Sequence, residues 1–117
     1  MGLTYLTIRV SNPGNKKRIF KRRFLIDSGA VYSVIDSQVL KKMGIKPHSK
    51  REFILANGEV IKKEIGDAFF VYSGQKASAP VVFGDKNIFL LGATTLENLG
   101  LILNPLDRRL LPLPMVI

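Results

Sequence analysis

The sequence predicts an all-β domain carrying two short helices. Three observations predict it. Apolar and polar residues alternate with a period of two, as in Tyr5-Leu6-Thr7-Ile8-Arg9-Val10. Turn-forming groups such as Ser11-Asn12-Pro13-Gly14-Asn15 and Ala56-Asn57-Gly58-Glu59 separate the extended runs. Only two windows carry helix start and stop signals, Asp36 to Gly44 and Thr94 to Gly100.

In chain order, Tyr5 to Val10 reads as a half-buried strand, with Leu6, Ile8 and Val10 on the apolar face. Pro13 presets φ and Gly14 tolerates a positive one, so residues 11–15 turn. Ile19 to Ile26 returns as a second strand that runs straight into Asp27. Val31 to Ile35 is extended. Asp36 is suited to cap a two-turn helix over 37–43, Gly44 to the left-handed C′ position, and Ile45 to packing back on the helix. Arg51 to Leu55 and Val60 to Tyr72 form a long hairpin with Asn57-Gly58 at its tip and a bend expected at Gly66. Ala79 to Phe83 is a strand and Gly84 to Asn87 a turn. Ile88 to Leu91 is a buried strand stopped by Gly92. Thr94 and Glu97 have capping-box spacing for the second helix, which ends at Gly100. Leu101 to Asn104 and Arg108 to Leu111 flank a Pro105-Leu106-Asp107 turn.

A length of 117 residues suits one domain over 1–117 with one modest core. There is no cysteine, which removes disulfides, thiolate metal sites and thiol nucleophiles, and the single His48 cannot build a zinc cluster. No apolar run is long enough for a membrane helix, and the first ten residues alternate instead of forming a leader. A cytoplasmic protein with no cofactor, no metal and no membrane contact is the expectation. The formal charge is +9, with clusters at Lys16-Lys17-Arg18, Lys21-Arg22-Arg23, Lys41-Lys42, Lys50-Arg51, Lys62-Lys63 and Arg108-Arg109. Such a field attracts nucleic acid or acidic partners, but it also keeps a surface soluble, and no nucleic-acid motif accompanies it.

The stretch FLIDSGAVYSVI, residues 24–35, concentrates the functional question. A carboxylate follows three apolar residues, and burial without a partner is costly. Asp27 is either an Asx-turn residue that reaches solvent or a group held in a site that uses it. Asp36, Asp85 and Asp107 are better explained as a cap and two turn residues. Tyr32 reads as a packed aromatic or as a pocket wall.

Taken in order, Asp27-Ser28-Gly29-Ala30 after a strand, a long hairpin tipped by Ala56-Asn57-Gly58, and Leu90-Leu91-Gly92 before a short helix resemble the retropepsin-like aspartic proteases, and their compact prokaryotic members most. The resemblance spans nearly the whole chain. It implies a closed acid-protease β-barrel with a flap hairpin, and an aspartic endopeptidase in which Asp27 is catalytic. Ser28, Gly29, Ala30, Leu91 and Gly92 would support its loop, and Ala56, Asn57 and Gly58 would cover a peptide or protein substrate. It also implies a homodimer, since the chemistry takes two carboxyl groups sharing one proton and the chain has one Asp-Ser-Gly. In that family the termini often build the dimer sheet, which makes Leu3 to Ile8 and the apolar tail from Leu110 to Ile117 interface candidates; the alternative is a tail folded on its own core. The sequence departs from the viral pattern at Val31 and Tyr32, where acidic residues usually hold the substrate backbone, at Ala93, and in a hairpin tip with one glycine. A non-catalytic peptide-binding dimer and a basic nucleic-acid-associated protein are the competing readings.

Overall fold

A computed structural model describes residues 3–104 and 106–114. Among the described residues, nine strands and two helices follow one another as β1 (Tyr5–Asn12), β2 (Asn15–Ile26), β3 (Ser33–Asp36), α1 (Ser37–Lys42), β4 (Ser49–Ile54), β5 (Val60–Tyr72), β6 (Gln75–Gly84), β7 (Phe89–Leu91), α2 (Ala93–Leu99), β8 (Leu101–Asn104) and β9 (Arg109–Pro112). Seven strands share one sheet in the order β1-β2-β7-β3-β6-β5-β4. β1 also pairs with β5, so six strands run in a ring while β4 extends β5 outside it. The all-β expectation with two short helices is met. β8 and β9 make a separate two-stranded sheet.

The period-two patterns decide which side faces in. Ile8 and Val10 of β1 are buried, whereas Tyr5, Thr7 and Arg9 are exposed. They meet Phe24, Ile35, Phe70, Val81, Phe83 and Leu91 from the other strands, and Leu40, Leu96 and Leu99 from the helices. Phe24 and Phe70 are fully buried and meet edge-to-face, with ring centroids 6.5 Å apart. Burying each such side chain is worth about 1.5–3 kcal/mol as an upper estimate.

β5 runs unbroken through Gly66 but changes partner there. Val60–Ile65 pair with β4 and Phe69–Val71 with β1. A Cβ at Gly66 would come within 3.0 Å of the Lys46 carbonyl oxygen and 3.1 Å of the Phe83 ring, so glycine is required by close approach and not by a positive φ. β6 begins four residues earlier than the pattern predicts. Ser73 (φ 50°) and Gly74 (φ 83°) form a two-residue turn that lets Tyr72 pair with Gln75. Positive φ at both central positions matches the twist of the flanking strands.

The first helix starts and stops as predicted. Asp36 accepts the Gln38 N–H at 2.8 Å, and at the other end Gly44 adopts φ 74°. The Gly44 N–H reaches the Lys41 carbonyl and the Ile45 N–H the Leu40 carbonyl, each at 3.0 Å, a Schellman closure that buries Ile45.

The second helix differs from expectation. It begins at Ala93 with Gly92 as N-cap, and Thr94 caps nothing. The Ala93 N–H donates to the Ala30 carbonyl (2.7 Å) and the Thr94 N–H to the Val31 carbonyl (2.9 Å). A neighbouring loop thus takes two of the donors that the first helical turn leaves unpaired, in place of a side-chain cap. The same two bonds engage the carbonyls of Ala30 and Val31, and β3 starts only at Ser33, two residues later than the sequence suggests.

The tail divides. Leu103 and Leu110 pack on the core, while their neighbours Ile102 and Leu111, paired across the two strands, are exposed. Residues 115–117 of the apolar tail lie outside the described residues, as does Pro105.

Candidate active site

Asp27 sits where β2 leaves the sheet. Its N–H donates to the Leu91 carbonyl at 2.9 Å, continuing the parallel pairing of Ile26 with Leu91. The chain then turns back, with the Ala30 N–H bonded to the Asp27 carbonyl (3.2 Å) and the Gly29 N–H to Asp27 Oδ1 (3.0 Å). The side chain therefore makes an Asx turn, and the residue is half-buried. The turn expected of Asp27 is formed, and it leaves the side chain partly open to solvent. One carboxylate oxygen is occupied by Gly29, and among the described residues no second carboxylate bonds to it. Ser28 and Gly29 are exposed, and Ala30 is half-buried.

Behind this turn stands a small polar core. Ser33 and Thr95 are fully buried, and their hydroxyls meet at 2.5 Å. Ser33 Oγ also accepts the Gly92 N–H at 3.0 Å. This links β3, the glycine after β7 and α2 directly beneath the loop that carries Asp27. Gly92 is buried, and a Cβ there would stand 2.6 Å from both the carbonyl carbon and oxygen of Tyr32 and 2.9 Å from the Ala30 oxygen. Only glycine lets the two segments touch. Leu91, fully buried, anchors the strand below.

Sequence reasoning did not single out Ser33 or Thr95. A small hydroxyl residue inside the apolar run Val31-Tyr32-Ser33-Val34-Ile35 was the available signal. A buried hydroxyl must find a partner, and the partner lies 62 residues away.

A cavity of about 450 Å³ opens beside the Asp27 turn. Ala30, the last residue of the motif, lines it together with Val31, Tyr32, Val34, Val82 and Ile88. Phe53, Leu55, Ile61 and Lys63 come from the inner side of the β4–β5 hairpin. Tyr32 is both packed and a pocket wall, with its ring edge-to-face on Phe53 at 6.3 Å. The hairpin tip itself, Ala56-Asn57-Gly58, is exposed. The Gly58 N–H bonds to the Leu55 carbonyl (2.9 Å), the Leu55 N–H to the Glu59 carbonyl (2.8 Å), and Gly58 has φ 86°. Glycine at the third loop position relieves the strand twist, so the tip is a three-residue loop in which Asn57 keeps a negative φ.

Three other aspartates are engaged elsewhere. Asp36 is buried and accepts N–H groups from Gln38 and Asn87, each at 2.8 Å. The Asn87 N–H is the main cause that holds its carboxyl below the ordinary range, against the opposing effect of burial. Asp67 lies 3.3 Å from His48, and Asp107 pairs with Arg109 at 2.8 Å. Several basic residues cluster on the outer face of the sheet, where Arg9 pairs with Lys21 and Arg23 stacks on Tyr5. Among the described residues no helix is long and apolar enough to cross a membrane.

The model of the aspartyl protease family matches residues 12–102, which include the Asp27 turn, the hairpin and Gly92. No curated protein sequence matches the chain. Among solved structures it is similar to the simian foamy virus (mac) protease, at 17% identity over 79% of this chain and 92% of that one, with a TM-score of 0.55. It is also similar to the EIAV protease solved with the inhibitor HBY-793, at 16% identity over 85% of this chain and 89% of that one, with a TM-score of 0.61. At such identities these two likenesses speak for the fold, and the family match speaks for the sequence. The chain belongs to the aspartyl protease family, as a retropepsin-like member.

Proposed function

We propose that this protein is an aspartic endopeptidase whose active centre forms across a homodimer. The observation that carries the reading is the Asp27 turn itself. A half-buried carboxylate is fixed by a backbone bond in a turn whose Ala30 end packs against Gly92 and lines an apolar cavity shared with the β4–β5 hairpin. The chain supplies one such carboxylate, and the chemistry takes two. A second copy related by a two-fold axis between the Asp27 loops supplies the other, and two-fold dimers are the commonest closed assembly.

In the dimer the two carboxyl groups share one proton, the usual arrangement in aspartic proteases. The ionised one takes a proton from a water molecule as the water oxygen attacks the peptide carbonyl carbon. The protonated one gives its proton to the carbonyl oxygen. When the tetrahedral intermediate collapses, the C–N bond breaks, one carboxyl group gives its proton to the leaving nitrogen and the other takes a proton from a hydroxyl of the intermediate, which restores the singly protonated dyad. Ser28 and Gly29, exposed on the outer side of the turn, are the residues that face the partner loop. Ala56, Asn57 and Gly58 act as the flap tip, closing over the substrate and excluding water. The exposed Ile102–Leu111 pair on the outer face of β8–β9, together with Leu3, offers apolar surface for self-association.

The test uses Asp27→Asn. Wild-type protein should cleave members of a diverse peptide library, and the variant should not, with its thermal unfolding unchanged. Sedimentation should show a dimer. An excess of Asp27→Asn chain mixed into wild type should suppress activity by forming dimers with one carboxylate. Full activity in Asp27→Asn refutes the catalytic assignment, and a monomer that cleaves at full rate refutes the shared centre.

A further inference from the structure

The β4–β5 hairpin distributes its charges unequally between its two faces. On the outer face the cross-strand partners are complementary: Lys50 stands opposite Glu64, and Glu52 opposite Lys62. On the inner face, which carries Phe53 opposite Ile61, the remaining charged pair is Arg51 opposite Lys63. Like charges placed directly across a strand pair repel. Lys63 lines the cavity, and Arg51 contacts the cavity wall through Tyr32, donating to its hydroxyl with the guanidinium 5.5 Å from the ring.

Little in the chain offsets this pair. Lys63 reaches Asp85 at 3.3 Å, but the Asp85 side chain is 86% exposed, so the bridge is weak and displaceable. Among the described residues no carboxylate pairs with Arg51. The two cations thus have one carboxylate between them, the solvated Asp85 beside Lys63, next to a cavity whose body is apolar. The Arg51 guanidinium is also held in place by Tyr32, so little freedom is lost when it binds a ligand.

We propose that this end of the cavity binds a carboxylate of the substrate, with Arg51 and Lys63 as its partners and an adjacent apolar side chain filling the space among Tyr32, Phe53 and Ile61. The carboxylate belongs to a Glu or Asp side chain or to a peptide C-terminus. This reading rests on the peptide-cleaving function proposed above, and it makes acidic peptides the preferred substrate class. An incoming carboxylate would relieve the repulsion between Arg51 and Lys63, as their cross-strand neighbours are relieved on the outer face.

The experiment measures binding and cleavage separately. Fluorescent peptides with an apolar core are prepared as sets differing only in one flanking residue, Glu, Gln or Lys, each with a free or an amidated C-terminus. Binding is read by anisotropy on Asp27→Asn protein, which does not consume the peptide, and kcat/KM on wild type. Glu peptides should bind about tenfold more tightly than their Gln partners, as a charge-assisted contact requires, and the advantage should shrink at high salt. Arg51→Gln should remove most of that preference, Arg51→Lys should keep part of it, and Arg51→Glu with Lys63→Glu should transfer it to the Lys peptides. Dependence on the free C-terminus instead of the Glu side chain assigns the carboxylate to the chain end. Equal binding of Glu, Gln and amidated peptides overturns the proposal, as does a Glu preference that survives Arg51→Gln and Lys63→Gln together. Selective binding without any cleavage by wild type leaves the carboxylate site standing and removes the protease reading.

Discussion

Replacing Gly92 with alanine is expected to unfold the active-site support without touching Asp27. Gly92 has φ −96° and ψ 178°, which any residue adopts, so the backbone conformation carries no penalty. The cost is steric. The new Cβ would lie 2.6 Å from the Tyr32 carbonyl carbon and oxygen, where ordinary contact begins at 3.4 Å. About 0.8 Å of overlap must be relieved, and the atoms in the way belong to backbone that α2 and the Asp27 loop share. No side-chain rotation removes it. The expected cost is about 3 kcal/mol, the upper part of the range for overpacking. At roughly 4 °C per kcal/mol for a domain of this size, Tm should fall by about 12 °C. A shift of the 30–32 segment by a fraction of an ångström also displaces the neighbouring carboxylate, and a loss of about 10²-fold in cleavage is expected. Gly14→Ala, whose Cβ would meet nothing nearer than 3.4 Å, is the control and should stay within about 2 °C of wild type. Circular dichroism melts at one fixed protein concentration give the comparison. A Gly92→Ala protein that melts with the wild type and cleaves as well would refute the close-approach argument.

Three further outcomes are expected. Ser33→Ala should cost about 1–3 kcal/mol in urea unfolding, because it orphans both the Gly92 N–H and the Thr95 hydroxyl; adding Thr95→Val should cost less than the sum of the two single changes, and strict additivity would argue against a coupled pair. Asp36 has a folded-state pKa below its unfolded value of about 3.9, so its stabilisation is present in full above that value and is lost as pH falls through the folded pKa. Asp36→Asn should accordingly be less stable than wild type at pH 7, with a gap that closes on acidification; a gap constant from pH 7 to pH 3 would contradict the assignment. Amide exchange at Ala56 to Glu59, exposed at the hairpin tip, should be fast in the free protein and slowed by a bound peptide inhibitor, whereas equal protection in both states would count against a flap.

Local chemistry was enough to read most of the elements. The alternation in β1, the Asp36 cap, the Gly44 closure and the Asn57-Gly58 hairpin each depend on residues within one or two turns of one another, and these were legible in order along the chain. The Asp27-Ser28-Gly29-Ala30 turn was legible for the same reason, since its bonds join residues two and three apart. Other features depend on what distant segments bring. Thr94 has the spacing of a cap, yet the loop at Ala30 and Val31 supplies the acceptors first, and the helix starts earlier. Gly66 and Gly92 are glycines because of backbone that arrives from elsewhere, not because of their own φ. Ser33 is an ordinary strand residue until Thr95 is folded against it. The inner-face pairing of Arg51 with Lys63 follows from the register of β4 on β5, which the turn sets and which a one-residue slip would reverse. What the sequence by itself determined was the set of local elements and the turn that holds Asp27. What only the tertiary structure decided was which polar and charged groups meet across long separations, because burial and pairing are properties of two segments at once.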